Sequence, residues 1–111
     1  MTPAFGIRDI ETAVAAHFGL TQGEMRGMSR KRHVARPRQI AMFLAREITG
    51  QSLPRIGQQF ARDHTTVLYA VRKIARLMGQ DAAWAAHVAA CRARLAAAQP
   101  WKETVAMEVS L

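Results

Sequence analysis

Five consecutive polar residues, Arg62-Asp63-His64-Thr65-Thr66, offer most of the hydrogen-bonding groups that a base edge or a phosphate can use. An aspartate accepts from cytosine N4, a histidine donates to an acceptor on guanine or thymine, and a threonine can lay its methyl against that of thymine. The segment around them is strongly basic. Between Arg26 and Arg76 stand twelve cations, Arg26, Arg30, Lys31, Arg32, Arg36, Arg38, Arg46, Arg55, Arg62, Arg72, Lys73 and Arg76, against two acids, Glu47 and Asp63. The 111 residues carry a net charge of +8, so this segment holds all of the excess and the remainder is slightly acidic. A surface charged only for solubility mixes its signs, whereas segregated cations suit a polyanion. Taken alone, the five-residue run also reads as an ordinary helix start, with Asp63 as N-cap and two threonines tolerated in the first turn. The surrounding cations favour the contact reading.

Other chemistries fit poorly. No glycine is followed by lysine, which excludes the phosphate-binding loop of ATP-hydrolysing proteins. His64 beside Asp63 is adjacency in sequence, and no serine or cysteine is placed to act as its nucleophile, so no enzyme activity and no small-molecule substrate are expected. His17, His33, His64 and His87 never fall at metal-ligand spacing, and the single Cys91 cannot form an internal disulfide. Neither metal nor cofactor is expected. No stretch approaches the roughly 20 apolar residues of a membrane span, and the N-terminus lacks a signal-peptide pattern. The expected location is the cytoplasm, in association with the nucleoid.

The elements that must hold these residues are helical. Half of the residues are apolar, and alanine, leucine and methionine dominate over β-branched and aromatic types. Ile7, Ile10, Val14 and Phe18 mark one face of a first helix closed by Gly19, and Thr21 with Glu24 forms a capping box for a short second one ending near Gly27. Residues 27–34 lack an apolar period and read as a basic loop. A third helix is expected from about Pro37, with Ile40, Phe43, Leu44 and Ile48 inward and Gly50 as its stop. Ser52 caps a fourth helix of about two turns with Pro54 in its first turn. Asp63 caps a fifth, with Val67, Val71, Ile74 and Met78 inward and Gly79 as its close. Asp81 caps a sixth, whose Trp84, Val88, Cys91 and Leu95 form a core stripe before Pro100. The fold class is therefore all-α, a bundle of about six helices in which the fourth and fifth form a helix-turn-helix. Residues 1–80 are expected to form the DNA-binding domain. Residues 81–111 form a C-terminal helix packed on or extending from it, and a tail that could dock, meet a protein partner or stay disordered.

The stretches Val34-Ala35-Arg36-Pro37-Arg38-Gln39-Ile40-Ala41-Met42, Ser52-Leu53-Pro54-Arg55-Ile56-Gly57 and Arg62-Asp63-His64-Thr65-Thr66-Val67-Leu68-Tyr69-Ala70-Val71-Arg72-Lys73-Ile74 closely resemble the C-terminal DNA-binding domain of the DnaA family of bacterial replication initiators. The resemblance covers roughly residues 7–80. It implies a helix-turn-helix of the Trp-repressor type that reads short asymmetric sites in double-stranded DNA, the DnaA boxes of replication origins. By that likeness Asp63, His64 and Thr65 contact bases, and Arg62 and Thr66 assist. Arg30 looks like the arginine that enters the minor groove, with Lys31 and Arg32 beside it, and Arg38, Arg46 and Pro54 match positions on the DNA backbone. Arg36, Arg72 and Lys73 are further backbone candidates. One departure concerns the turn. The family usually has two small residues before Arg-Asp-His, whereas Ala61 alone separates Phe60 from Arg62, which could re-aim the recognition helix. The family's nucleotide-binding motor has no counterpart in these 111 residues, so binding without ATPase activity is expected, with regulation of replication initiation as the role. Transcriptional regulation and non-specific nucleic-acid binding are the alternatives.

Overall fold

The computed structural model describes residues 5–98, and its elements are six helices: α1 (Ile7–Phe18), α2 (Gln22–Arg26), α3 (Arg32–Thr49), α4 (Leu53–Phe60), α5 (His64–Gln80) and α6 (Ala82–Ala98). Most begin and end as local chemistry requires. Thr21 and Glu24 close their box reciprocally: Glu24 N–H donates to Thr21 Oγ1 at 3.1 Å and Thr21 N–H to Glu24 Oε1 at 3.0 Å. Ser52 Oγ accepts from Arg55 N–H, and Asp63 Oδ1 from the N–H groups of Thr65 and Thr66. Each satisfies a donor that a helix start would otherwise leave open.

Two expected boundaries are corrected. The loop spans residues 27–31 rather than 27–34, because α3 starts at Arg32 and carries Pro37 inside it. Val34 is buried and shares a face with Pro37, Ile40, Ala41 and Leu44; burial of that face outweighs the single backbone hydrogen bond that the proline ring forgoes. Nor does Gly79 end α5. The helix runs through it to Gln80; Asp81 N–H closes the last helical bond to Leu77 O at 2.8 Å, and Asp81 then breaks the helix by turning extended (φ −141°, ψ 110°) while its carboxylate accepts from Ala83 N–H.

Helix α3 is the centre of the packing, lying against α1 and α5, while α4 crosses α5 and α6 covers α1 and α5. Ile10, Met25, Ile40, Leu44, Ile56, Phe60, Val67, Ile74 and Val88 form one contiguous core. In α6, Val88, Cys91 and Leu95 point inward and Trp84 is half-buried, so this stripe is core. Burial pushes the Cys91 thiol up to about 11, which leaves it protonated and unreactive. The tail at 101–111 lies outside the described residues.

The turn between α4 and α5 closes tightly. Arg62 N–H donates to Gly57 O at 2.9 Å, and a Cβ at Gly57 would stand 2.4 Å from the Arg62 carbonyl oxygen. Of the three residues between the helices, Ala61 takes the left-handed conformation at φ 55°. The turn thus puts an L-residue where glycine is at ease. Gly57→Ala is expected to cost about 3 kcal/mol, since the obstructing atom is backbone. Ala61→Gly is expected to stabilise by about 1 kcal/mol despite glycine's larger unfolded-state entropy. Chemical denaturation of the two variants checks both signs.

Across the contact of α1 with α6, His17 Nε2 and His87 Nδ1 lie 3.0 Å apart, an arrangement in which one ring donates and the other accepts. Burial first, then His87 and Arg94, hold the His17 imidazole below its ordinary 6.5. As pH falls below that value, the unfolded chain takes up a proton that the folded chain resists. The stabilisation is therefore complete above about pH 6.5 and is lost as pH falls toward the folded-state pKa. Thermal midpoints should decline from about pH 7.5 to about pH 5, and less steeply in His17→Gln.

Candidate nucleic-acid interface

The candidate surface is built on the exposed start of α5. Asp63, His64, Thr65 and Thr66 are all exposed, while Val67 and Ala70 behind them are buried and fix the helix on its support. The Asp63 carboxylate is held below its usual range, chiefly by the Thr65 hydroxyl and then by the Thr66 N–H. It is therefore an acceptor only. These bonds all go to Oδ1, so the capping role and an accepting role for Oδ2 coexist. Thr65 directs its hydroxyl onto Asp63, which leaves its methyl as the group available to a partner. Helix N-terminal N–H groups add a positive dipole end at the same place.

The twelve cations divide by what they touch. Arg26 is paired: its Nε and Nη2 donate to the buried Glu11 carboxylate at 2.9 and 3.1 Å, linking α2 to α1. Arg38, expected on a DNA phosphate, has its side chain turned into the protein. It is buried, and its three nitrogens donate to Met25 O at 2.7 Å, Glu24 O at 3.0 Å and Ser29 O at 3.1 Å. Arg62 is likewise engaged: Nη2 donates to Gly27 O at 2.6 Å and Nη1 to the carbonyls of Phe60 and Ala61. The two guanidiniums thus pin the basic loop at its residues 27 and 29, and Arg62 ties it to the start of α5. Arg46, also expected on the backbone, caps the end of α3 through Gln51 O at 2.6 Å while staying exposed.

The other named cations face outward in two groups. Arg30, Lys31 and Arg32 are exposed on the loop and at the start of α3, and Arg72, Lys73 and Arg76 lie along α5. A shallow cleft lined by Arg30, Arg32, Ala35, Arg36, Gln39 and Lys73 joins them. Arg36 is held there by Gln39 Oε1 at 2.8 Å and by the Trp84 ring, 5.6 Å from its guanidinium. Pro54 and Arg55 are exposed at the start of α4. His64, Thr65, Arg72, Lys73 and Arg76 thus lie along α5 with Arg30 and Arg32 near Lys73, while Arg38 and Arg62 bond carbonyls of the loop. The sequence reading missed Tyr69 as part of this surface, although its place four residues after Thr65 and four before Lys73 is a sign of a shared helical face. Among the described residues no cluster of three or more histidine, cysteine or acidic side chains could hold a metal, and no helix is long and apolar enough to cross a membrane.

A capped, exposed recognition helix locked across a short support helix, with cations along its flank, defines a helix-turn-helix domain of the DNA-binding class. A family profile described as bacterial dnaA protein helix-turn-helix matches residues 7–74. The chromosomal replication initiator protein DnaA of Caulobacter vibrioides (strain NA1000 / CB15N) is 53% identical over 78 residues, covering 69% of this chain and 16% of that protein. The same-named protein of Deinococcus radiodurans is 48% identical over 87 residues, 78% of this chain and 19% of its own length, and that of Sphingopyxis alaskensis is 46% identical over 94 residues, 84% and 21%. The chain belongs to the bacterial DnaA helix-turn-helix family and spans about a fifth of the length of these relatives.

Arg38→Ala is expected to destabilise the fold by about 3 kcal/mol, since it removes three hydrogen bonds to carbonyls. Its effect on DNA binding should come through loosening of the loop. The slope of log affinity against log salt should therefore stay as in the wild type, in contrast to the drop of about one expected for a residue that neutralises a phosphate. Denaturation and salt titration of one variant check both.

Proposed function

We propose that this chain binds double-stranded DNA sequence-specifically at DnaA-box-like sites and regulates the initiation of replication, with no ATP hydrolysis of its own. The observation that carries this reading is the start of α5, where Asp63, His64 and Thr65 stand exposed at the end of a helix locked by the Gly57–Arg62 turn. Family membership supports the DNA-binding class and the link to replication initiation. Specificity rests on the exposed groups. Asp63 Oδ2 accepts from an exocyclic amine, the His64 ring donates to a purine or thymine acceptor, and the Thr65 methyl packs on a thymine methyl. Arg30 enters the adjacent minor groove, and Lys31, Arg32, Arg36, Arg72, Lys73 and the α4 start at Pro54 meet the backbone. Thr66 lies beside them, and Arg62 acts by positioning. Such a domain competes for boxes with longer family members and is held at the nucleoid by its DNA affinity.

The test is a titration against a duplex bearing a DnaA box and a scrambled duplex of equal length, at two salt concentrations. The expected preference is about a hundredfold or more. His64→Ala should cost about 1–3 kcal/mol on the box and little on the scrambled duplex. Equal, salt-sensitive binding to both duplexes by the wild type would contradict the specific reading and leave a non-specific basic binder.

A further inference from the structure

Tyr69 is a large side chain left 54% exposed on the recognition helix, one turn beyond Thr65. It stands in a cleft of about 240 Å³ whose walls are Thr65, Leu68, Arg72, Lys73 and Arg76. The Lys73 ammonium donates to the phenol oxygen at 3.1 Å and lies 5.4 Å from the ring centroid. An ammonium can only donate, so the phenol oxygen here is the acceptor, and the O–H proton must be directed elsewhere. Among the described residues no acceptor takes it. The site therefore presents an unused O–H donor, polarised by the ammonium on its oxygen and surrounded by cations with no carboxylate in the cleft wall.

From this geometry we infer that Tyr69, Lys73, Arg72 and Arg76 form a seat for a single backbone phosphodiester, in which the Tyr69 O–H donates to one non-bridging oxygen and the cations supply charge. The inference rests on the proposed duplex binding and adds to it a neutral, directional contact one to two turns from the base-reading residues. Cations alone attract phosphate without fixing its position, whereas a hydroxyl on a two-torsion aromatic arm specifies where one phosphate must lie. Tyr69 thereby sets how far α5 enters the groove and which base pairs Asp63, His64 and Thr65 can reach. The ordinary tyrosine titration near 10 is lowered first by the hydrogen bond from Lys73 and then by its charge, which accords with a strengthened donor. A second feature favours DNA phosphate over a free anion: the cleft is an open trough along the helix, continuous through Lys73 with the cleft of Arg30, Arg32 and Arg36.

The test is a set of box-bearing duplexes, each with one phosphate replaced by an uncharged methylphosphonate, titrated with wild type, Tyr69→Phe and Lys73→Ala. Tyr69 is exposed, so Tyr69→Phe should melt as the wild type does. It is expected to bind the unmodified box about tenfold more weakly with an unchanged salt slope, while Lys73→Ala lowers the slope by about one. One methylphosphonate position should weaken the wild type clearly and Tyr69→Phe much less, because the contact is already gone. Binding by Tyr69→Phe equal to wild type, or equal methylphosphonate losses for the two at every position, would overturn the phosphate seat while leaving duplex binding intact. Failure of the wild type to prefer the unmodified box over a scrambled duplex would instead overturn the reading beneath it, and the seat with it.

Discussion

The approach of Gly57 to the Arg62 carbonyl is the contact on which the rest of this surface depends. A helix-turn-helix works only if the second helix leaves the first at a set angle, and here that angle is locked by backbone meeting backbone at a distance no side chain could fill. Phe60 is buried immediately before the turn, so α4 cannot slide to relieve the contact. Ala61 absorbs the change of direction in a conformation that an L-residue adopts at a cost of about 1–2 kcal/mol. The domain accepts that local strain because the burial of Ile56, Phe60, Val67 and Ala70 across the turn outweighs it. Strain of this kind next to an exposed surface fixes the direction of the exposed residues at the start of α5 before any partner arrives.

Two buried or half-buried guanidiniums extend that order to the basic loop. Taking an arginine out of water is expensive unless its donors are satisfied, and Arg38 satisfies three with carbonyls from α2 and the loop. Arg62 does the same between the turn and Gly27. Arg38 is buried with all three nitrogens engaged, while Arg62 remains half-buried. Their effect is to hold a loop rich in like charges against its own repulsion, so that Arg30 and Arg32 are presented beside Lys73 of α5 and need less ordering on binding. The basic character of the segment thus has two separate physical origins, cations that build the surface and cations that form it.

Much of this was legible in the residues. The caps at Thr21, Ser52, Asp63 and Asp81 are local chemistry, readable from short polar side chains before apolar periods, and the structure places each of them as expected. The start of α3 was not, because a cluster of cations before Pro37 imitates a loop, and only the burial of Val34 reveals that the helix has already begun. Gly79 misled for the opposite reason: an exposed glycine in a helix costs little where no break is otherwise set, and the break came from Asp81. Which arginines face outward could not be read at all from sequence. Arg36, Arg38, Arg62 and Arg72 look alike there, and only the third dimension shows that Arg38 and Arg62 end on carbonyls. The pairing of His17 with His87 and of Arg26 with Glu11 is invisible for the same reason, since each joins residues far apart in the chain.

Whether α5 and the loop it holds together form the DNA-contacting surface is the central claim, and amide chemical-shift mapping of the full chain with a box-bearing duplex tests it most directly. The largest changes are expected at His64, Thr65, Tyr69 and the loop residues Arg30 and Lys31, with Val88, Cys91 and Leu95 in α6 little affected. Shifts centred on α6, or spread without preference over the cations of every helix, would contradict it.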